Sequence, residues 1–392
     1  MLLAACQSDD VTVTSTRTVI IYMSAENNLS PYAHSDTTEM IVGSKALQRY
    51  KNQRNNLIVY FDSDNGQEAP SIWKMDHGKA VRIKQYQEEI NSADPTQMYE
   101  ILSWIISQYP ADDYGLVLWG HASGSMYSND TIPYHPASSR RRAYGYDSNS
   151  NLSGVGSTWM NVPSMALALK KLHTPFKFIF CDCCNSCNIE EAYELRDVTE
   201  YYIAAPTEIP GTGADYSTIV PCFFSQSATF YQEIIDDYAN SRNNQMPLAA
   251  IRTSQLEDLA HATKLALQTM QPTAEKDLNL DGLVYYVGNV YRSVRVMYDM
   301  NDLMMQNLSS DEYQQWKKAF DPVIAYKRYA STWATINYVN FEDFQNSEEK
   351  MSCISMYFPR TAYDHEELTK EENAHFHNLQ WYWAVGWNDY GW

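Results

Sequence analysis

With 392 residues, 44% of them apolar, the chain is long enough to bury a large core, either as one α/β domain with an appended part or as two domains. Its 29 Lys and Arg against 48 Asp and Glu give a net charge of −19, which excludes a nucleic-acid surface and suits an exported protein or one that takes basic substrates. No apolar run approaches the roughly 20 residues that a membrane-spanning helix needs.

The chain opens on Leu3-Ala4-Ala5-Cys6, the pattern of a bacterial lipobox, and continues as a polar, Thr-rich tether. The expectation is an exported protein of the cell envelope or surface, or a secreted one, whose contact with the membrane is a lipid on Cys6. Thr18–Met23, Asn56–Phe61, Leu116–Trp119, Phe176–Cys181 and Tyr201–Ala205 are short apolar runs bounded by polar turns. Continuous apolar character implies burial on both faces, as in a parallel sheet covered by helices. Between these runs, Met98–Tyr109 and Trp159–Leu172 place apolar residues at helical spacing, and Asn188–Val198 has the acidic start of an amphipathic helix. Segments 62–72 and 121–157 read as long loops. Downstream, Thr218 to about Gln271 and Ser293–Phe320 read as helical, Ser352–Phe358 as a late strand, and the aromatic tail Trp381–Trp392 as a segment packed on the body. Three parts are predicted: a start and linker over 1–16, an α/β domain over 17–225 that carries the chemistry below, and a mainly helical C-terminal part over 226–392.

Two apolar runs end in reactive side chains: Gly115–Trp119 leads through Gly120 to His121, and Phe178–Cys181 leads into Asp182, Cys183 and Cys184. In an open parallel sheet the carboxyl ends of neighbouring strands face one crevice, so a His ending one strand and a Cys ending the next can stand side by side. A thiol with a pKa of about 8.5 is mostly protonated at neutral pH, and an imidazole within reach supplies the base that makes it a nucleophile. A lone His at a strand end is more often a loop residue, and Cys is among the most buried residue types. The repetition of the pattern at two sharp turns favours chemistry. The cluster Cys181, Cys183, Cys184 and Cys187 also admits a zinc or iron–sulfur site or a redox dithiol, although Cys222 and Cys353 are isolated and no further ligands stand at matching spacing. Asp277-Leu278-Asn279-Leu280-Asp281-Gly282 has the opening spacing of a calcium loop, but Gly288 stands where the closing Glu belongs, so it reads as an Asx-rich turn and calcium stays unassigned.

Five blocks occur in a familiar order: Tyr22-Met23-Ser24-Ala25-Glu26-Asn27-Asn28-Leu29, Gly115 to Gly124, Ala143-Tyr144-Gly145-Tyr146-Asp147, Asp182 through Leu195, and Ala205 to Gly213. In these blocks the chain resembles the clostripain family of cysteine peptidases over most of residues 18–220, and more weakly to about residue 360. The resemblance implies a caspase-like fold, a mostly parallel sheet flanked by helices, acting on protein or peptide substrates with no required cofactor. It implies His121 as the catalytic His and Cys184 as the nucleophile. The family pattern is His-Gly and Asp-Ala-Cys, whereas this chain has His121-Ala122 and Asp182-Cys183-Cys184. Backbone N–H groups at Ala122 and Cys184 are expected to form the oxyanion hole, and Ala lacks some of the conformations open to Gly. Family members typically cleave after Arg or Lys, which calls for a carboxylate in the specificity pocket. Asp182 is the first choice by position, with Glu208 and Asp215 as others, although acids at strand ends often cap helices. The run Arg140-Arg141-Arg142 would suit self-cleavage by such an enzyme. The rival reading is a cell-surface binding protein that kept the fold and lost turnover.

Overall fold

The computed structural model describes residues 16–49, 54–63, 69–125, 143–148, 157–242, 246–273, 278, 280–289, 294–336, 340–343, 348–365 and 372–392. In chain order the strands are β1 (Arg17–Ala25), β2 (Asn55–Ser63), β3 (Ser71–Asp76), β4 (Lys79–Gln85), β5 (Asp113–Gly120), β6 (Ala143–Asp147), β7 (Thr158–Asn161), β8 (Phe176–Asp182), β9 (Thr199–Ala204), β10 (Leu248–Arg252), β11 (Tyr285–Asn289), β12 (Val294–Asp299), β13 (Ile324–Arg328), β14 (Thr332–Ile336), β15 (Asn340–Asp343) and β16 (Ser355–Tyr357). The helices are α1 (Ser30–Gly43), α2 (Pro95–Gln108), α3 (Val162–Lys171), α4 (Ile189–Glu194), α5 (Tyr216–Phe223), α6 (Phe230–Ser241), α7 (Leu256–Met270), α8 (Met300–Asn307), α9 (Ser310–Phe320), α10 (Glu372–Phe376) and α11 (Gln380–Val385).

One nine-stranded sheet, ordered β13-β10-β9-β8-β5-β1-β2-β3-β4, organises the molecule. Its middle, from β9 to β2, is parallel, and the strands on either side run antiparallel. All nine residues of β1 are buried, which is the outcome its unbroken apolar run requires. Val19, Ile21 and Met23 belong to the core shared with residues of α1, α5 and α6, whereas Ile20 and Tyr22 belong to the core shared with α2, α3 and α7. Each such side chain contributes roughly 1.5–3 kcal/mol by leaving water. The register sets Trp119 of β5 opposite Asp182 of β8, so His121 and Cys184, each two positions beyond this pair, emerge at the same height.

Local chemistry ends and starts the helices around this crest. The Asp94 carboxylate accepts the Thr96 N–H, with Pro95 at the first position of α2. Asn188 caps α4 through the Glu191 N–H at 2.8 Å.

The parallel core is as predicted, and the differences lie outside it. Thr218–Gln271 is interrupted by β10, whose Leu-Ala-Ala-Ile core reads as helical by propensity but is held between β9 and β13. Ser293–Phe320 opens with β12 before α8 and α9. The segment 121–157 contains β6, which pairs with β7, so the helix expected from Trp159 starts at Val162. The predicted late strand is confined to β16. The C-terminal part holds more helix than strand, as expected, but not one late strand alone: it supplies β10 and β13 to the main sheet, and a boundary at residue 225 cuts through that sheet.

Candidate active site

His121 and Cys184 follow adjacent parallel strands at matched height and line one cavity of about 170 Å³, together with Leu29, Trp119, Asp182, Ile209 and Gly211. The two-residue period of β8 sorts the crowded thiols. Cys181 and Cys183 turn into the core on one face, where Cys181 Sγ donates to the Tyr202 hydroxyl at 3.3 Å and Cys183 Sγ lies 3.2 Å from Ser186 Oγ. Asp182 and Cys184 turn the other way, toward the cavity. Cys184 is half-buried, whereas Cys181, Cys183 and Cys187 are buried, and all six described cysteines are free thiols. Among the described residues the cysteines form no cluster with metal-ligating geometry.

The turn that presents Cys184 depends on Asn185, which has φ of +58° and donates its N–H to the Thr207 carbonyl at 2.8 Å. Asn tolerates this left-handed conformation better than most residues. Facing it, Gly124 has φ of +63°, and a Cβ there would lie 2.2 Å from the Asn185 carbonyl oxygen. The His-bearing and Cys-bearing loops thus meet backbone to backbone.

His121 is held from several sides. Its carbonyl accepts the Gly145 N–H at 2.8 Å, its Nε2 lies 2.7 Å from Asn28 Oδ1, and its ring stands edge-on to Tyr146 and tilted to Trp159. Burial lowers its pKa, which keeps the imidazole neutral at pH 7. Burial pushes the Cys184 thiol up to about 12; the Ile209 N–H, 3.5 Å from Sγ, works against this, and the Glu208 charge adds to it. No hydrogen bond joins Cys184 to His121 among the described residues. Burial thus disfavours the charged form of both groups.

The His-Ala departure is accommodated without strain. Ala122 forms an antiparallel bridge to Tyr144 and is not among the residues with positive φ, so its backbone suits any L residue.

Asp182 forms the acidic wall of the cavity. Its Oδ1 accepts the Tyr238 hydroxyl at 2.7 Å, and its Oδ2 accepts the Tyr216 hydroxyl at 3.0 Å and the Ala214 N–H at 3.1 Å. Burial raises its pKa, and these donors, Tyr238 foremost, oppose the rise by favouring the charged form. Gly213 has φ of +48°, and a Cβ there would come within 2.7 Å of Asp182 Oδ2.

The other predicted acids stand apart. Asp215 caps α5 through Ser217 and does not line the cavity, which is the helix-capping outcome. Glu208 also lies off the lining and acts on Cys184 through its charge. Cys6 and Arg140, Arg141 and Arg142 lie outside the described residues, as does part of the loop from 277 to 282. Glu26, Asp62 and Glu89, with carboxylate oxygens within 4.8 Å of one another, are the described group with hard-cation donor chemistry. Leu29, Trp119 and Ile209 were not singled out from the sequence as site residues, although all three fall within blocks that carry the family resemblance.

A parallel sheet that brings a His and a Cys from neighbouring strand ends into one cavity is the architecture of caspase-like cysteine peptidases. The sequence profile of the clostripain family matches residues 21–392, and the chain belongs to that family. It is a cysteine-type peptidase by that membership. Among solved structures it is similar to a secreted C11 cysteine protease from Bacteroides thetaiotaomicron in complex with an irreversible peptide inhibitor, at 25% identity and a TM-score of 0.77, covering 96% of this chain and 100% of that one. It also shares its fold with an inactive zymogen C11 protease from Parabacteroides distasonis, at 23% identity and a TM-score of 0.75, covering 95% and 98% of the two chains. A B. fragilis cysteine protease is 27% identical with a TM-score of 0.53, covering 60% of this chain and 96% of that one. Comparison with curated proteins gives no match.

Proposed function

We propose that this chain is an exported endopeptidase that cuts after Arg or Lys, with Cys184 as nucleophile, His121 as general base and Asp182 as the partner of the substrate cation. The observation that carries the reading is the meeting of these three side chains in one cavity at the ends of β5 and β8. His121 takes the proton from Cys184 Sγ as the sulfur attacks the scissile carbonyl carbon. The N–H groups of Ala122 and Cys184 hold the resulting oxyanion, each donor being worth roughly 10²–10³ in rate. The imidazolium then protonates the leaving amine as the C–N bond breaks. Water, giving its proton to His121, attacks the thioester and frees the thiol. No cofactor takes part in these steps.

A small cavity with glycine in its wall and a buried carboxylate suits a long cationic side chain. The same specificity supports self-cleavage after one of Arg140, Arg141 or Arg142, which lie between β5 and β6. Export, with a lipid on Cys6, completes the reading.

The test assays fluorogenic peptides with Arg, Lys or a neutral residue before the scissile bond. Cys184→Ala is expected to abolish turnover, and His121→Ala to lower it by about 10³-fold. Asp182→Asn is expected to cut kcat/KM for Arg and Lys peptides by about 10²-fold and to spare any neutral substrate. Activity that survives Cys184→Ala but not Cys183→Ala would move the nucleophile. On a denaturing gel the wild type should give two fragments and Cys184→Ala one, and a fully active, intact wild type removes self-cleavage.

A further inference from the structure

A Cys/His pair works only if the imidazole offers a lone pair, not an N–H, to the thiol. A neutral imidazole has one of each, and the partner of the far nitrogen decides which is which. The far partner is in place here. Asn28 Oδ1 lies 2.7 Å from His121 Nε2, and an amide oxygen can only accept, so Nε2 carries the hydrogen and Nδ1 keeps its lone pair.

The neighbouring residue explains why Asn28 reaches this far. Asn27 is buried, and its Nδ2 donates to the carbonyls of Ser24 at 3.1 Å and Tyr146 at 2.6 Å while its Oδ1 accepts the Leu29 N–H at 2.9 Å. These bonds tie the loop between β1 and α1 to its own strand, to β6 and to the start of α1. With Asn27 fixed inward, Asn28 is turned outward over the crest, where His121 emerges one strand away. Tyr146 and Trp159 limit ring rotation from the other side.

We infer that Asn28 is a positioning residue: it fixes the ring and the tautomer of His121 so that Nδ1 receives the Cys184 proton, and it accepts the Nε2 hydrogen of the imidazolium that results. The proton passes from Sγ to Nδ1 as the S–C bond forms, and from Nδ1 to the leaving nitrogen as the C–N bond breaks. Nε2–H stays bound to Asn28 throughout. The inference rests on the proposed roles of Cys184 and His121.

The groups facing the ring are Asn28 on the β1–α1 loop, Tyr146 on β6, Trp159 on β7, and Cys184 and Asp182 across the cavity. A carboxylate in place of the amide would therefore add the nearest negative charge to the imidazolium.

The test compares wild type, Asn28→Ala, Asn28→Asp, His121→Ala and Cys184→Ala as full chains on one peptide substrate over pH 4–9. Asn28→Ala is expected to lower kcat about tenfold with KM within about twofold, the loss of one hydrogen bond made more strongly in the transition state. Asn28→Asp should restore much of kcat and move the acid limb of the profile upward by about one pH unit. A merely structural role would move neither the limb nor kcat alone. Wild-type kcat in Asn28→Ala, or an unmoved limb in Asn28→Asp, overturns the inference. Full activity in Cys184→Ala or His121→Ala would instead overturn the underlying catalytic reading. Independently of turnover, ¹⁵N shifts of His121 in the Cys184→Ala protein should report the Nε2–H tautomer, and the Nδ1–H form there overturns the inference.

Discussion

Asp36 and Asp182 are both buried, near enough for the Asp182 charge to act on Asp36, and they solve the problem differently. Asp182 has three donors that favour its ionised form. Among the described residues Asp36 has only the Trp119 indole N–H, at 2.8 Å, and burial, followed by the Asp182 charge, pushes its pKa up to about 8. Its other charged neighbours, Glu39 and Arg242, act in opposite senses. In the unfolded chain the same carboxyl titrates near 3.9. Between roughly pH 4 and pH 8 the folded state therefore holds a proton that the unfolded state releases, and stability falls as pH rises, by up to ~1.4 kcal/mol per pH unit. Asp36→Asn keeps an acceptor for Trp119 and removes the titration. It should melt at a higher temperature than wild type at pH 8 and alike at pH 4, as followed by circular dichroism. An equal melting temperature at both pH values would mean that Asp36 stays ionised and compensated. Above about pH 8, where Asp36 ionises, the variant also removes a charge near Asp182, so a change in KM for basic peptides confined to that range would show how far Asp182 feels it.

At the scale of elements, the crest of the sheet is assembled by loops that lock together through backbone. Gly124 against Asn185 is the tightest of these contacts. Gly124→Ala places a Cβ where a carbonyl oxygen already sits, at a left-handed φ that costs roughly 1 kcal/mol more. The Cys184 turn must shift, and since misplacement of a reacting group by about 1 Å can cost 10²-fold in rate, kcat should fall by at least tenfold on the proposed mechanism while the melting temperature drops by a few degrees. Unchanged kcat would show that the two loops move independently. This contact was not legible in the sequence, because it depends on two backbones meeting from separate strands. The five parallel strands were legible, since burial on both faces leaves an unbroken apolar run. The hairpin of β3 and β4 was not: Lys79–Gln85 is an edge strand with no fully buried residue, so its pattern carries no core signal. β10 was misread for a different reason, its alanines favouring helix until β9 and β13 supply partners. The strand ends pointed to a His and a Cys, whereas the choice of Cys184 over Cys183 and of Asp182 came from the family resemblance; the structure brings His121, Cys184 and Asp182 to one cavity. Asn28 lay inside a recognised block but had no visible partner until β1 and β5 were neighbours.

On the scale of the whole molecule, the helix that follows the Cys184 turn is anchored by the far end of the chain. Glu190 of α4 is fully buried and accepts the Tyr357 N–H at 2.8 Å, while Glu194 accepts both the backbone N–H and the side-chain amide of Gln380 at 2.6 Å. Tyr193 packs edge-on to the buried Trp381, with ring centroids 5.4 Å apart. The Cys187 carbonyl, three residues beyond Cys184, accepts the Ser355 N–H at 2.9 Å. Further out, the carboxylate of buried Asp299 gathers Tyr286, Asn301, Ser352 and Cys353, tying α8 to the segment that leads into β16. These contacts make the C-terminal part a structural component of the turn that carries Cys184. A chain ending at residue 225 would lose β10 and β13, leave the β9 edge open, and strand Glu190 and Glu194 without these donors. Each of these hydrogen bonds to a carboxylate contributes about 1.5–3 kcal/mol, and the apolar surface under α7 and α11 is uncovered as well, so such losses consume the 5–15 kcal/mol that holds a typical domain folded. Residues 1–225 alone should therefore show no cooperative thermal transition and no turnover, whereas co-expression with residues 226–392 should recover both. A cooperative melt of the isolated 1–225 fragment would restore the division into two separable domains and would leave α4 dependent on the N-terminal part alone.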